Sequence, residues 1–164
     1  MRQAFLLAAL LAMSGCGLHS LYAGGEASPA AMGFRLVEVA PIPNRAGWLT
    51  RNALIDRIGG EHPGSLYRVD VELDDALIGL AIRGDSATTR ERRTLRARFR
   101  LVERASGLVV LDATAGADAG IDVVSSEYAT VAAEQTSAER LSGIVADQIV
   151  ARVARYFNTA PRRP

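Results

Sequence analysis

The sequence predicts an α+β fold: a two-layer domain in which a four-stranded sheet is packed on one face by two helices, in the order β-α-β-β-β-α. Two stretches alternate strictly, as half-buried strands do. Tyr67, Val69, Val71 and Leu73 oppose Arg68, Asp70, Glu72 and Asp74, and Leu95, Ala97, Phe99 and Leu101 oppose Arg96, Arg98 and Arg100. Two other stretches repeat their apolar residues at helical spacing; the longer one carries Leu141, Ile144, Val145, Ile149, Val153 and Tyr156. Two apolar helix stripes and one apolar sheet face bury one another as layers, which leaves the second sheet face polar and in need of water or a partner.

The chain opens with a segment that lies outside this domain. Arg2 precedes an unbroken apolar run of ten residues, Ala4 to Met13, and Ser14-Gly15 supplies small residues at a cleavage point. Ten residues are too few for a mature membrane-spanning helix, which needs about twenty, and fit the core of a secretory signal. The only cysteine, Cys16, follows at once. With no second cysteine a disulfide within the chain is excluded. Met13-Ser14-Gly15-Cys16 resembles a bacterial lipobox, which implies cleavage of residues 1–15 and lipidation of Cys16. Several acyl chains there anchor the protein firmly, where one alone binds a bilayer only marginally. By the same resemblance Gly17, which is not Asp, implies passage to the outer membrane.

Each element follows in order. Residues 16–33, rich in Gly, Ala and Ser with Pro29, read as the lipidated cysteine and a flexible tether, although Leu21 and Tyr22 could pack locally. The domain spans 34–158. Phe34 to Val39 has strand composition, with Phe34, Leu36 and Glu38 on one face, and Pro41 to Arg45 stops it. Trp48 to Ile58 is a helix whose face carries Leu54, Ile55 and Ile58 with Trp48 or Arg51, and Gly59-Gly60 ends it. After the His62-Pro63-Gly64 turn, the Tyr67 strand resumes weakly in Leu77 to Ile82, and Gly84 to Thr89 is a polar tip. Thr94 to Glu103 is the next strand. It turns at Ala105-Ser106-Gly107 into Leu108 to Thr114, and Ala115 to Gly120 reads as a flexible loop. Ser126 to Phe157 is the long helix, with Gly143 as a weak point where a break is expected to be cheapest. Residues 159–164 read as a disordered tail.

Removing the signal leaves 18 basic and 18 acidic side chains. Net charge near zero excludes general nucleic-acid binding, which wants a basic excess. Every basic residue is Arg, so any phosphate contact is a guanidinium fork rather than a point charge. Arg96, Arg98 and Arg100 either form a cross-strand ladder with Asp70, Glu72 and Asp74, or hold an anionic ligand. Arg90, Arg92 and Arg93, with only Glu91 and Asp85 as obvious acidic neighbours, and Arg83 stand beside the loop tip; they are the first candidates for a phosphate-bearing ligand. His19 lies in the tether and His62 in a turn, and neither follows a nucleophile motif. No Cys pair or helically spaced His pair offers a metal site, no phosphate-binding glycine loop is present, and Gly84-Asp85-Ser86 lacks a strand-to-helix setting for a hydrolase serine. The expectation is a binding or assembly protein, with no enzyme activity, cofactor or metal.

These residues also resemble a known family. Cys16-Gly17-Leu18-His19-Ser20-Leu21-Tyr22 is similar to the start of the lipopolysaccharide-assembly lipoprotein family (LptE), especially its alphaproteobacterial branch, with Leu18 in place of Phe and Ser20 in place of Pro. Ile42-Pro43-Asn44-Arg45 followed by Leu49, Asn52 and Leu54, then Tyr67 to Val71, Ala97 to Leu101, and Ser126-Glu127-Tyr128-Ala129 leading to Tyr156-Phe157, resemble that branch's later blocks in the same order. The resemblance implies a lipid-anchored protein on the periplasmic side of the outer membrane. It would plug and help assemble the lipopolysaccharide-translocon β-barrel (LptD-like) and contact lipopolysaccharide in transit. It also implies that basic residues by the exposed loop, here Arg83, Arg90, Arg92 and Arg93, meet that ligand. Rival expectations are an auxiliary lipoprotein of an ABC-type lipid transport system, a tethered enzyme and a purely structural lipoprotein.

Overall fold

The structure, a computed structural model, describes residues 27–82 and 88–160. Cys16 and Arg83 lie outside the described residues, as do the expected signal, most of the expected tether and the end of the expected tail. The described elements are α1 (Pro29–Phe34), β1 (Val37–Val39), α2 (Asn44–Ile58), β2 (Tyr67–Ile82), β3 (Thr88–Glu103), β4 (Val109–Asp122) and α3 (Glu127–Thr159). The strands form one sheet in the order β1-β2-β3-β4. β1 pairs with β2 in parallel, and β2, β3 and β4 are an antiparallel meander. The parallel step needs a crossover, and α2 supplies it. This is the expected fold with one helix added at its front.

That helix corrects the tether's expected end at Gly33. Pro29 sits at the start of α1, where its fixed φ suits a helix, and the Ser28 side chain accepts a hydrogen bond from the Ala31 amide at 3.1 Å. Ser28 is itself buried. A Cβ on Gly33 would stand 2.3 Å from the Phe157 ring, so only glycine lets α1 lie against the end of α3. The first strand is correspondingly shorter than expected: Phe34 belongs to α1, and only Val37–Val39 pairs, with Val37 and Val39 buried and Glu38 on the opposite face. Helix α2 starts at Asn44, four residues before Trp48, directly after Pro43. Its buried face is Ala46, Gly47, Thr50, Leu54 and Ile58, whereas Trp48 points to solvent.

Helix α3 runs unbroken through Gly143 for 33 residues. A glycine in mid-helix costs about 1 kcal/mol relative to alanine, and burial along the same helix outweighs it. Leu141, Val145, Ala146, Ile149, Val150, Val153 and Ala154 are all buried, with Val69, Val71, Leu95, Ala97, Phe99, Leu101, Ala115 and Ala119 of the sheet in the same cluster. Strand β4 continues to Asp122, so the stretch read as a loop from Ala115 to Gly120 is strand, paired residue by residue with β3. Its alanines face the helix, where a small side chain lets α3 come close.

The two long helices are also tied by charge. Arg57 near the end of α2 forks onto Asp147 of α3, with Nη2 donating to Oδ2 at 3.1 Å, while Nη1 donates to the Ala53 carbonyl. The hydrogen bond from Arg57 holds the Asp147 carboxyl below the usual carboxylate range; desolvation opposes it, and the charge of Arg57 adds a smaller push in the same direction as the hydrogen bond. A carboxyl depressed in the fold binds fewer protons there than in the unfolded chain. Its stabilisation is therefore present above the ordinary carboxylate pKa and is lost as pH falls through the lower folded value. Both side chains are substantially exposed, at 31 % and 65 %, so screening limits the pair to about 1 kcal/mol or less. Urea melts at about pH 6 and about pH 3 are expected to show a larger acid loss for the native chain than for Asp147→Asn; equal losses would mean the pair adds nothing.

Candidate functional site

The face of the sheet turned away from the helices is built from alternate residues of three strands. Register places Asp70 opposite Arg100, Glu72 opposite Arg98 and Asp74 opposite Arg96. The charges do pair, but diagonally and toward both neighbouring strands. Arg100 donates to Glu72, Arg98 reaches both carboxylate oxygens of Asp112 on β4 at 3.1 and 2.7 Å, and Arg96 lies 3.8 Å from Asp118. Asp70 is taken by Arg68, two residues along the same strand, at 2.7 and 2.8 Å. The hydrogen bond from Arg98 holds Asp112 below the usual carboxylate range.

Gly116 allows part of this arrangement. A Cβ there would stand 2.7 Å from Cδ of Arg96, so its absence lets the Arg96 side chain cross β4 and donate to the Ala117 carbonyl at 3.2 Å. The free edge of β4 is closed at the same place. Gln148 of α3 donates to the Gly116 carbonyl and accepts from the Gly116 amide, both at 3.0 Å. An edge whose backbone groups are satisfied in this way does not recruit another strand there. The result is a hydrated face of nearly balanced charge.

The far end of the β2–β3 hairpin differs in kind. Arg90 and Arg92 stand on the charged face, about 7 Å apart along β3 by strand geometry. Arg90 faces Asp122 across the ladder and donates to it at 3.0 Å, with both side chains mostly exposed. Arg92 is exposed, lies opposite Ile78 and Gly120, and makes no ion pair among the described residues. Arg93 separates from this pair because it points to the helix side. It forks onto Asp75 at 2.9 and 2.5 Å and donates to the Glu134 carbonyl of α3 at 3.1 Å. The hydrogen bond to Asp75 raises its pKa further, and desolvation works the other way.

The sequence reading did not single out Ile78, opposite Arg92, or its neighbour Leu80, which are 56 and 47 % exposed, nor Leu77, 43 % exposed on the other face opposite Arg93. The signal was present: from Ala76 to Leu80 the polar partner of each alternation is missing, so apolar side chains stand on both faces. Guanidinium groups adjoining exposed aliphatic side chains suit an amphiphilic anion, which offers a charged head to one and hydrocarbon to the other.

This two-layer fold is that of small bacterial lipoproteins of known structure. A protein from Caulobacter crescentus CB15 described as a lipoprotein superposes with a TM-score of 0.67 at 18 % identity, over 80 % of this chain and 97 % of that one. The rare lipoprotein B of Shewanella oneidensis gives 0.54 at 10 % identity, over 73 % and 92 %. A lipoprotein B of Nitrosomonas europaea gives 0.58 at 12 %, over 75 % and 84 %. No curated protein matches the chain in sequence. The sequence pattern of the lipopolysaccharide-assembly family, LptE, matches residues 34–153, and the chain belongs to that family. It is a lipopolysaccharide-assembly lipoprotein, of a non-enzymatic family that works with the lipopolysaccharide transport machinery. Among the described residues no helix is long and apolar enough to cross a membrane.

Proposed function

We propose that this protein is anchored in the outer membrane, on its periplasmic face, by acyl chains on Cys16. We propose further that it seats its charged sheet face inside the LptD-like translocon β-barrel, as a plug that also helps the barrel assemble. Lipopolysaccharide in transit is met at the hairpin end by Arg83, Arg90 and Arg92, with phosphate on the guanidinium groups and acyl chain beside Ile78 and Leu80. Arg93 belongs to the same end but acts on the fold, holding β3 to β2 and α3.

The observation that carries this reading is the face itself. Apart from Arg92 and Asp74, its guanidinium and carboxylate groups are paired among the described residues, and the face is exposed and left uncovered by the described helices, so it suits a wet wall rather than an apolar partner. Exposed ion pairs of this kind contribute about 0–1 kcal/mol each to folding, so stability alone gives little reason to concentrate them on one surface.

Affinity purification of the native protein from outer membranes tests the partner. Recovery of a large β-barrel protein at equal stoichiometry is expected; recovery alone, or with an inner-membrane ATPase assembly, overturns the plug. Cys16→Ala tests the anchor. The variant is expected in the soluble periplasmic fraction, and a variant still bound to membrane with unchanged processing rejects acylation at that position.

A further inference from the structure

At the opposite end from the hairpin tip the structure holds an apolar groove that the proposed role does not use. It has a volume of about 580 Å³ and lies between α1, the start of β2 and the end of α3. Its floor is an aromatic cluster: the Phe157 ring meets Tyr67 at 5.5 Å and Tyr156 at 5.3 Å, both edge-on. Its walls include Met32, Leu36 and Leu66, which are 50, 40 and 60 % exposed. Large apolar side chains gathered around an open groove ask for an occupant.

We infer that the occupant is the chain's own segment from Leu18 to Tyr22. The segment's attachment point is fixed at the groove, since Pro29 lines it and the cap from Ser28 sets where the chain leaves α1. Tyr22 is seven residues from Pro29, so an extended chain carries it up to about 25 Å, enough to turn back over the opening. Gly24-Gly25 supplies the freedom for that turn. Composition makes the same point. From Gly17 to Glu26 the residues are small or polar except Leu18, Leu21 and Tyr22. A spacer has no use for three large apolar side chains, and a groove lined by aliphatic and aromatic groups has. Docking does not depend on the proposed acylation or plug role. Where Cys16 is acylated, docking leaves only Gly17 between the anchor and the seated segment and holds the groove end of the domain at the bilayer.

Thermal melts of the full chain in detergent, followed with an apolar-surface dye, test this. Leu21→Asp with Tyr22→Asp is expected to lower the Tm by about 3–6 °C and to raise dye binding, while Ala23→Asp with Ala27→Asp, equal in charge and outside the docked segment, changes neither. Equal effects of the two pairs overturn the inference. A second arm locates the segment. Leu21→Cys with Ala105→Cys, at the groove wall, is expected to close a disulfide within one chain at least tenfold faster than Ala23→Cys with Ala105→Cys. Comparable rates, or disulfides mainly between two chains, overturn it, the latter in favour of a second copy as occupant. Quenching of groove fluorescence by bromine-labelled phospholipid, undiminished in the native chain relative to the Leu21→Asp, Tyr22→Asp variant, likewise overturns it in favour of lipid.

Discussion

Phe99→Ala is expected to lower the free energy of unfolding by about 3–5 kcal/mol, the largest stability effect of any single side-chain truncation in this domain. Phe99 has no exposed surface and sits in the second half of β3, a central strand of the sheet. Its register partners are Val71 on β2 and Ala113 on β4, both smaller, so the ring fills the space that its neighbours leave under α3. Truncation removes the transfer free energy of the ring and leaves a cavity that two paired strands and a 33-residue helix cannot collapse to fill. Domains of this size have about 5–15 kcal/mol in total, so the variant loses a large share. Phe99→Leu keeps most of the volume and is expected to cost less than half as much. Urea denaturation of both variants checks the pair; a loss below about 1 kcal/mol for Phe99→Ala would place the centre of the core elsewhere.

The same residue shows why so much of this fold was legible. On Thr94 to Glu103 every second residue is apolar and every other one is mostly Arg, and only one face of a half-buried strand produces that alternation. The failures share a different cause. Residues 115–120 read as a loop because glycine and alanine carry little strand propensity, yet they pair along their whole length because small side chains are what close helix approach and the crossing of Arg96 over Gly116 require. Helix α1 was hidden because its fixing contact, Gly33 against Phe157, joins residues more than a hundred positions apart. The start of α2 was missed for a similar reason: Ala46, Gly47 and Thr50 are buried without looking apolar, and Trp48 looks apolar without being buried. At the candidate site, sequence brought Arg90, Arg92 and Arg93 together by proximity, but strand parity separates them. One residue of register sends Arg93 to the helix side, and its partner Asp75 lies eighteen positions away on another strand.

That parity yields the sharpest functional expectation. Arg90→Glu combined with Arg92→Glu should leave the melting curve nearly unchanged, because both side chains are exposed and Arg90's pairing with Asp122 is screened. The same change should weaken lipopolysaccharide binding by about tenfold to a hundredfold, the loss of one or two charge-assisted contacts at about 1.5–3 kcal/mol each less what water restores. Arg93→Glu should behave in the opposite sense. The Arg93 and Asp75 side chains are only 19 % and 25 % exposed, so reversal sets two carboxylates against each other in a partly desolvated site and leaves the Glu134 carbonyl without this donor. A cost of about 2 kcal/mol or more is expected, short of the 3–5 kcal/mol of a fully buried pair because the site keeps some water. Paired measurements of melting temperature and lipopolysaccharide affinity on purified variants separate the two roles. If Arg93→Glu binds poorly at a temperature where it is fully folded, Arg93 meets the ligand directly; if the double variant binds as the native chain does, the guanidinium groups of the outer face do not, and contact with lipopolysaccharide lies elsewhere on the domain.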